Sequence, residues 1–201
     1  GRAQPPDDAR PPDKAQRNFT DPESKIQKTR DGFIQGYNAQ IAVDATAQVI
    51  VAQQVTAASP DVEQLQPVVQ AVAQGLRRRP RVVLADAGYW SEANVVALQA
   101  RGIEPLIAPG RRKHREPPPV APRGRPPANL TVKQRMARAL ATRRGHALYA
   151  RRKVIAEPPF GQIKQARGFR QFLRRGLRAV TEEWALICTS HNLLKLYGAR
   201  T

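Results

Sequence analysis

One stretch decides the fold expected of this chain, and it reads Arg81-Val82-Val83-Leu84-Ala85-Asp86-Ala87-Gly88-Tyr89-Trp90. The four residues before Asp86 are all apolar, which is typical of a strand that is buried on both faces. Asp86 therefore emerges where a buried strand meets solvent, and in open α/β sheets the carboxyl ends of strands are where ligands bind. A turn or helix-cap role is the alternative interpretation of Asp86, since Gly88 follows it.

Upstream of this stretch, the sequence predicts a hairpin and a helix. Period-two alternation over residues 33–43, a turn at 44–47 and a second strand at 48–55 predict an antiparallel hairpin. Ser59 is expected to cap the helix that follows, with Pro60 in its first turn. The apolar stripe of that helix is Val62, Leu65, Val68, Val69, Val72 and Leu76.

Downstream, helix and strand alternate once more. Ser91 is expected to cap a helix over residues 92–101, and residues 103–108 form another apolar strand. The order is therefore β-β-α-β-α-β, with helical crossovers between the later strands. This order predicts an α/β fold with one mixed sheet flanked by helices.

The C-terminal third is predicted to be helical. Residues 131–144 form one helix, a second begins at Glu157-Pro158-Pro159, and a third runs over 181–197 with Thr181 as its cap. The inner face of the last helix is expected to hold Trp184, Ile187, Cys188, His191 and Leu194. A helical stripe of arginines suited to phosphates is expected at Arg167, Arg170, Arg174, Arg175 and Arg178.

Charge is concentrated in one part of the chain. The net charge is +18, and residues 109–178 hold 20 of the 34 Lys and Arg residues but only two of the 16 acids. That distribution points to a nucleic-acid partner. The single cysteine, Cys188, excludes an internal disulfide, and neither a signal peptide nor an apolar run of membrane length is visible, so a cytoplasmic location is expected.

These patterns predict four segments: a linker over 1–15, an α/β core over 16–108, a basic Pro/Arg-rich loop over 109–130, and a helical part over 131–201 that carries Glu157. Glu157 is the only acid between Arg123 and Lys164. Two carboxylates such as Asp86 and Glu157, surrounded by bases, suit a divalent metal held against a phosphodiester. A helix-start acid is the alternative role for Glu157.

Several motifs together resemble the C-terminal catalytic half of bacterial insertion-sequence DDE transposases, over about residues 14–197. The motifs are Gln16-Arg17-Asn18-Phe19-Thr20-Asp21-Pro22-Glu23-Ser24, Gly36-Tyr37-Asn38-Ala39-Gln40-Ile41-Ala42-Val43-Asp44, Leu84-Ala85-Asp86-Ala87-Gly88-Tyr89, Glu157-Pro158-Pro159-Phe160-Gly161-Gln162-Ile163-Lys164, Arg167-Gly168-Phe169, Trp184-Ala185-Leu186 and His191-Asn192-Leu193-Leu194-Lys195.

The resemblance implies an RNase H-like fold and a triad of two Asp and one Glu holding two Mg²⁺ or Mn²⁺ ions. Asp86 would be the second Asp and Glu157 the Glu. The family's Tyr-x2-Arg-x3-Glu-x6-Lys signature would place Tyr149 and Lys164 at the DNA. Arg152 fits the spacing from Tyr149, whereas Lys153 fits the spacing to Glu157, so either could be the basic member. Arg167, Arg170 and Arg174 are further expected DNA contacts.

The first Asp of the triad should lie on a strand before the hairpin, and the sequence offers no clear match for it. Asp21 is in the right order but in a polar stretch, and Asp44 is in a turn. The expectation is therefore an RNase H-like sheet without its first strand, in a truncated transposase copy. An intact copy would cut transposon ends and transfer them to target DNA. The expected partners are DNA and a second subunit. Two alternatives are a non-catalytic DNA-binding remnant and a basic RNA-binding structural protein.

Overall fold

A computed structural model describes residues 17–29, 32–110 and 120–199 of the protein. The predicted linker over residues 1–15 and the basic run at 111–115 lie outside the described residues. Among the residues described, no helix is both long and apolar enough to cross a membrane.

The described part is a mixed α/β structure. Its strands are β1 Lys25–Thr29, β2 Gly32–Gly36, β3 Asn38–Val43, β4 Ile50–Thr56, β5 Val82–Ala85 and β6 Glu104–Ile107. Its helices are α1 Leu65–Leu76, α2 Glu92–Ala100, α3 Val132–Ala141, α4 Arg143–Gly161 and α5 Leu177–Gly198. Single 3₁₀ turns at Asp61–Glu63 and Ala87–Tyr89 lie before α1 and α2, and a π-helical turn at Gln162–Ala166 follows α4.

The central elements agree with the sequence predictions. β3 and β4 form an antiparallel hairpin, in which Asp44 accepts hydrogen bonds from the backbone N–H groups of Thr46 and Ala47 and so closes the turn. The predicted cap of α2 is confirmed, because the Ser91 hydroxyl accepts a hydrogen bond from the backbone N–H of Asn94 at 3.0 Å. β5 and β6 pair in parallel around α2, as expected for a helical crossover.

The prediction of one mixed sheet is wrong for the described residues, whose strands form three separate two-stranded sheets, β1–β2, β3–β4 and β5–β6. The expected strand over 33–43 is broken at Tyr37, because its first half pairs with β1 and its second half with β4. Tyr37 is fixed at the break, where its hydroxyl donates to Asp21 at 2.7 Å. The alternation of residue types along 33–43 predicts an extended conformation, but it does not show where the chain changes from one partner strand to another.

The predicted helix start at Glu157 is also wrong. Glu157, Pro158 and Pro159 lie in the last turns of α4, which begins at Arg143, where Thr142 caps it by accepting a hydrogen bond from the N–H of Gly145. Proline is favoured in the first turn of a helix and disfavoured inside it. The two prolines therefore predicted the start of a helix at a place where α4 ends. Similarly, Ser59 does not cap α1, which follows the 3₁₀ turn that starts after Pro60.

Two predictions about the C-terminal segment need correction. α5 begins at Leu177, four residues before the expected cap, and the Thr181 hydroxyl instead donates to the carbonyl oxygen of Leu177 within the helix. Leu194 is 57% exposed and lies off the inner face, whereas the other four predicted inner residues are buried. The arginine stripe is not helical, because residues 168–176 form irregular structure between the π-helical turn and α5.

Two buried clusters hold the elements together. One joins α1, α2, β5, β6 and α3 through residues such as Leu98 and Ile107, both 0% exposed. The other packs α5 against the β3–β4 hairpin, with Trp184 stacked on Phe160 of α4 at 6.1 Å between ring centroids. α1 contacts β3 and β4 as well as the first cluster. The β3–β4 and β5–β6 sheets are each anchored in a buried cluster, and α1 contacts both. The candidate site lies in the space between these two sheets.

Candidate active site

A cavity of about 1040 Å³ separates β3 from β5. Every residue of both strands lines it, together with side chains of α1 and α4. We call it the interstrand cavity. Asp61, Asp86 and Glu157, which are far apart in sequence and belong to different elements, all line its wall. The fold therefore brings the two acids singled out from the sequence, Asp86 and Glu157, to one cavity.

Asp86 is exposed at the end of β5, as its position in the sequence predicted. Its Oδ1 accepts a hydrogen bond from the backbone N–H of Gly88 at 2.8 Å, so it also caps the 3₁₀ turn that follows. The turn-acid interpretation is thus structurally correct. It does not exclude a ligand role, because a carboxylate has two oxygens and several lone pairs.

A third acid, Asp61, approaches Asp86 from the turn before α1. A Cβ atom placed on Gly88 would lie 3.1 Å from Asp61 Oδ2 and 3.1 Å from Asp86 Oδ1. Because both oxygens lie that close to one point, the distance between Asp61 Oδ2 and Asp86 Oδ1 is at most twice 3.1 Å. Asp61 Oδ1 accepts hydrogen bonds from Asn38 Nδ2 at 2.7 Å and from Gln40 Nε2 at 2.8 Å. The carboxylate is therefore held by two side chains of β3.

The sequence interpretation missed Asp61, Asn38 and Gln40. Asp61 follows Ser59-Pro60 at the predicted start of a helix, a position that does not by itself indicate a site residue. The available signal was the pair Asn38 and Gln40, which lie two residues apart and thus share one face of a strand, and which are both polar. Gln40 is only 4% exposed, and a buried amide of this kind needs partners; Asp61 is one of them.

Tyr89 links this network to the turn that carries Asp86. Its hydroxyl donates to Gln40 Oε1. Burial raises the pKa of Tyr89 well above its usual range, and the nearby charges of Asp61 and Asp86 raise it further. Asn94 is buried and donates to the carbonyl oxygens of Val62 and Tyr89. Both acid-bearing turns are therefore fixed to each other.

Tyr149 and Arg152 approach the same region from α4. The guanidinium carbon of Arg152 lies 5.6 Å from the centre of the Tyr149 ring. Burial raises the pKa of Tyr149, the charge of Asp86 raises it further, and Arg152 acts in the opposite direction. Tyr149 is thus close to both an acid and a base of the site. Arg152 lines the interstrand cavity, and its buried Nε has no hydrogen-bond partner in the described chain.

Of the predicted DNA contacts, Arg152 lines the cavity and the others do not. Lys153 and Lys164 are exposed on α4 and on the π-helical turn, where Lys164 Nζ lies 5.5 Å from the Phe160 ring centre. Arg167 donates to Ser190 Oγ and Arg170 to Gln165 Oε1. Arg174 forms an ion pair with Glu182 at 3.1 Å. These bases lie on the outer surface around the C-terminal segment.

Both residues considered for the first Asp accept hydrogen bonds in the described chain, and of the two, Asp44 lines the cavity. Asp21 is 8% exposed, does not line the cavity, and its Oδ1 accepts hydrogen bonds from the Tyr37 hydroxyl and the N–H of Gly176. Asp44 does line the cavity, but its Oδ2 closes the β3–β4 turn. Across residues 17–29, 32–110 and 120–199, no group of three or more His, Cys, Asp or Glu side chains is arranged to hold a metal ion.

Comparison with known proteins adds an independent finding. Residues 9–193 match the family profile described as "Transposase DDE domain". A segment of 85 residues is 44% identical to a protein named "Putative transposase for insertion sequence element IS402", from Burkholderia cepacia. That alignment covers 39% of this chain and 40% of the relative, so the chain spans well under half of the protein it resembles. No solved structure matches the chain.

Proposed function

This chain belongs to the family of transposases with a DDE domain, and from that premise we propose that it is part of the catalytic domain of an insertion-sequence transposase. The proposed reaction is metal-dependent hydrolysis at the ends of the element, followed by attack of the freed 3′-hydroxyl on target DNA. Asp86 and Glu157 are the proposed catalytic residues. The observation that carries the proposal is that these two acids, 71 positions apart in the sequence, line one cavity.

The acids suit the metal that such a reaction needs. Carboxylate oxygens are the preferred ligands of Mg²⁺, with Mn²⁺ a close substitute, and Asp86 is held at the end of a strand while Glu157 is held on a helix. We propose that these two residues bind the metal, with one more carboxylate contributed from outside the described residues. When bound, two such ions would activate water and stabilise the leaving oxygen at phosphorus.

Bases around the cavity would hold the DNA backbone. We propose that Tyr149 and Arg152 contact the phosphate next to the cleaved bond. Arg152 lines the same cavity as Asp86, its buried Nε has no partner among the described residues, and it lies over the ring of Tyr149. This location favours Arg152 over Lys153 as the basic member of the signature. Lys153, Lys164, Arg167, Arg170 and Arg174 are proposed contacts further along the DNA, where they would add affinity that depends on salt.

We further propose that the architecture is RNase H-like, with the core over 16–108 and the helical part over 131–201 sharing one catalytic face. Support comes from the parallel pair β5–β6, the antiparallel hairpin β3–β4 and the cavity that separates them, which the described residues do not fill with a strand. The proposed partners are the terminal inverted repeats, target DNA and a second transposase subunit.

A non-catalytic DNA-binding role is the second candidate. It is favoured by one observation, namely that the described residues contain no group of three acids placed to hold a metal. In that case the basic surface would still bind DNA.

The test is nicking of a supercoiled plasmid that carries the ends of the element, with Mn²⁺ present. We expect nicking by the chain, its loss in Asp86→Ala and Glu157→Ala, and no change in Glu63→Gln, an exposed acid that does not line the cavity. Absence of nicking by the unaltered chain, with salt-dependent DNA binding intact, would support the non-catalytic role instead.

A further inference from the structure

The segment between the π-helical turn and α5 is strongly basic and carries an exposed apolar side chain. Residues 167–178 contain five arginines and no acidic residue. We call the irregular part of this segment, residues 168–176, the arginine loop. Leu173 lies within it and is 78% exposed. Because single exposed leucines are common on protein surfaces, the meaning of Leu173 depends on how the surrounding chain is held.

The middle of the arginine loop is fixed to α5. The Glu183 carboxylate accepts hydrogen bonds from the backbone N–H groups of Leu173 and Arg174, with a shortest distance of 2.9 Å to each. Phe172, the preceding residue, packs edge-on against Trp184 with 6.0 Å between the ring centroids. The backbone of Leu173 therefore follows an anchored aromatic residue and is itself hydrogen-bonded, while its side chain stands in solvent.

The end of the arginine loop is fixed by Asp21 and Glu23, which belong to a motif that the proposed reaction does not use. Asp21 Oδ1 accepts from the N–H of Gly176 at 3.2 Å, and Glu23 Oε2 accepts from the N–H of Leu177 at 2.7 Å. Gly176 has a left-handed φ of 81°. Hydrogen bonds to a carboxylate are about twice as strong as those between neutral groups. Three carboxylates from two distant parts of the chain thus hold the backbone of this loop.

These acids bind the backbone of the arginine loop, and most of its guanidinium groups keep their charge for a ligand. Among the described residues, Glu182 alone forms ion pairs with the segment, to Arg174 at 3.1 Å and to Arg178 at 3.3 Å. Arg170 donates to the uncharged Gln165, and Arg175 is exposed. The loop therefore presents an apolar side chain with positive charge on both sides of it in the sequence.

We propose that the arginine loop is a preformed wedge for duplex DNA. Arg170 and Arg175 bind phosphates along the minor groove, and Leu173 enters a base step and unstacks it, as apolar side chains of minor-groove proteins do. A loop that is already ordered pays little conformational entropy on binding, which leaves interaction energy for unstacking. Asp21, Glu23 and Glu183 are positioning residues. The inference rests on the proposed function for its DNA partner and deepens it by naming how the duplex is deformed.

The test of Leu173 uses a short duplex of alternating thymine and adenine, in which several adenines are replaced by 2-aminopurine. TA steps unstack readily, and 2-aminopurine fluoresces more strongly when it is unstacked. We expect the full chain, at saturation and without divalent metal, to raise the fluorescence. The rise should be lost in Leu173→Ala and kept in Leu173→Met, which retains a long apolar side chain. Leu186→Ala, at a residue of α5 that is 70% exposed and outside the loop, is the matched control and should keep the rise.

The test of the arginines is the salt dependence of binding to the same duplex. Arg175→Ala should weaken binding and lower the slope of log affinity against log salt by about one, the value for one lost phosphate contact. Arg77→Ala is the matched control, because Arg77 is exposed at the end of α1, outside the basic segment. It should leave the slope unchanged.

Two neighbouring acids separate positioning from charge. Glu183→Ala should lose the fluorescence rise while circular dichroism shows unchanged helix content, because the backbone of Leu173 is released. Glu182→Ala removes the same charge but releases only the side chains of Arg174 and Arg178. It should keep the rise and bind the duplex more tightly. If the acids acted only through their charge, the two variants would behave alike.

The inference is overturned if saturating protein leaves the fluorescence unchanged, if Leu173→Ala keeps the rise, or if Glu182→Ala and Glu183→Ala behave alike. It also fails if Leu173→Ala weakens binding of single-stranded RNA but not of the duplex, since the loop would then be an RNA contact. If the rise depends on Leu173 but no condition yields nicking, the wedge stands and the proposed catalysis fails. If nicking occurs without any fluorescence rise, only the wedge fails.

Discussion

At the scale of single residues, Gln48 explains how α4 tolerates Pro158. Pro158 has no N–H to give to the carbonyl oxygen of Val154, one turn earlier. Gln48 Nε2 donates to that oxygen instead, at 2.6 Å, and Gln48 Oε1 accepts from Lys195 Nζ at 2.9 Å. Gln48 lies in the β3–β4 turn with a left-handed φ of 56°. A turn far away in sequence thus supports the helix that carries Glu157.

We expect Gln48→Gly to lower the free energy of unfolding by about 2 kcal/mol, because it removes two side-chain hydrogen bonds of about 1 kcal/mol each. Glycine removes the donor but suits the left-handed φ, so backbone strain cannot account for a loss. Urea denaturation would measure it. In a Pro158→Ala background the helix regains its own N–H, so the cost of Gln48→Gly should shrink. An equal cost in both backgrounds would show that Gln48 does not act through Val154.

Gly88 lies next to the carboxylates of Asp61 and Asp86. A Cβ at this position would meet Asp61 Oδ2 and Asp86 Oδ1, each at 3.1 Å, so Gly88→Ala should displace one or both carboxylates. Changes next to metal ligands typically cost 10- to 100-fold in metal affinity. We therefore expect about tenfold weaker Mn²⁺ binding by electron paramagnetic resonance. Gly110→Ala, where a Cβ meets open space, is the control, and an unchanged affinity in Gly88→Ala would argue against the proposed site.

At the scale of elements, the corner between α3 and α4 sets the direction of the Glu157 helix. Thr142 donates to the carbonyl oxygen of Ala139 at 2.7 Å, which closes α3, and accepts from the N–H of Gly145 at 3.0 Å, which opens α4. Gly145 is buried at this corner. One threonine and one glycine therefore let two helices follow each other without a loop.

Two glycines of α4 give a matched test of this corner. A Cβ at Gly145 would lie 1.9 Å from the carbonyl oxygen of Ala139, whereas a Cβ at Gly161 meets nothing within 4 Å. We expect Gly145→Ala to destabilise the protein by about 3 kcal/mol through overpacking. Gly161→Ala should stabilise it by up to about 1 kcal/mol, because alanine favours the helix. Thermal unfolding would show both, and equal effects would contradict the corner geometry.

At the scale of the whole molecule, His191 joins the C-terminal helix to the hairpin. It is 0% exposed on α5 and donates from Nε2 to the carbonyl oxygen of Gln48, while Nδ1 has no partner within the described residues. Burial lowers the pKa of His191, and the charges of Arg167 and Lys195 lower it further. The ring is thus neutral in the folded protein at neutral pH, and folding disfavours its protonation.

The lowered pKa of His191 makes the folded protein less stable as the pH falls. The unfolded histidine, with a pKa of about 6.5, binds a proton more readily than the folded one. The contribution of His191 is therefore fully present above about pH 6.5 and is lost as pH falls through the lower folded-state pKa. We expect the denaturation midpoint to fall over this range, and His191→Gln to flatten the fall. His146→Gln, at an exposed position, should leave it unchanged; an identical pH profile in His191→Gln would refute the assignment.

Local patterns in the sequence were sufficient for the central elements. Four apolar residues before Asp86 identified β5 and the exposed acid at its end, and Ser91 identified the start of α2, because strand burial and helix capping depend on neighbouring residues alone. The same local signals named Asp86 and Glu157 as candidate site residues. Charge concentrated in residues 109–178 indicated a nucleic-acid partner, since charge is a property of composition.

What only the tertiary structure decided depends on partners that are distant in sequence. Pro158 stays inside a helix because Gln48 supplies a donor, so the local preference of proline for a first turn misled the prediction. Asp61 belongs beside Asp86 because Asn38 and Gln40 of another strand hold it there. The strands over 33–43 change partners at Tyr37, and β3 and β5 face each other across a cavity instead of pairing. Hydrogen bonds between distant residues carry no short-range pattern, which is why these features could not be read from the sequence.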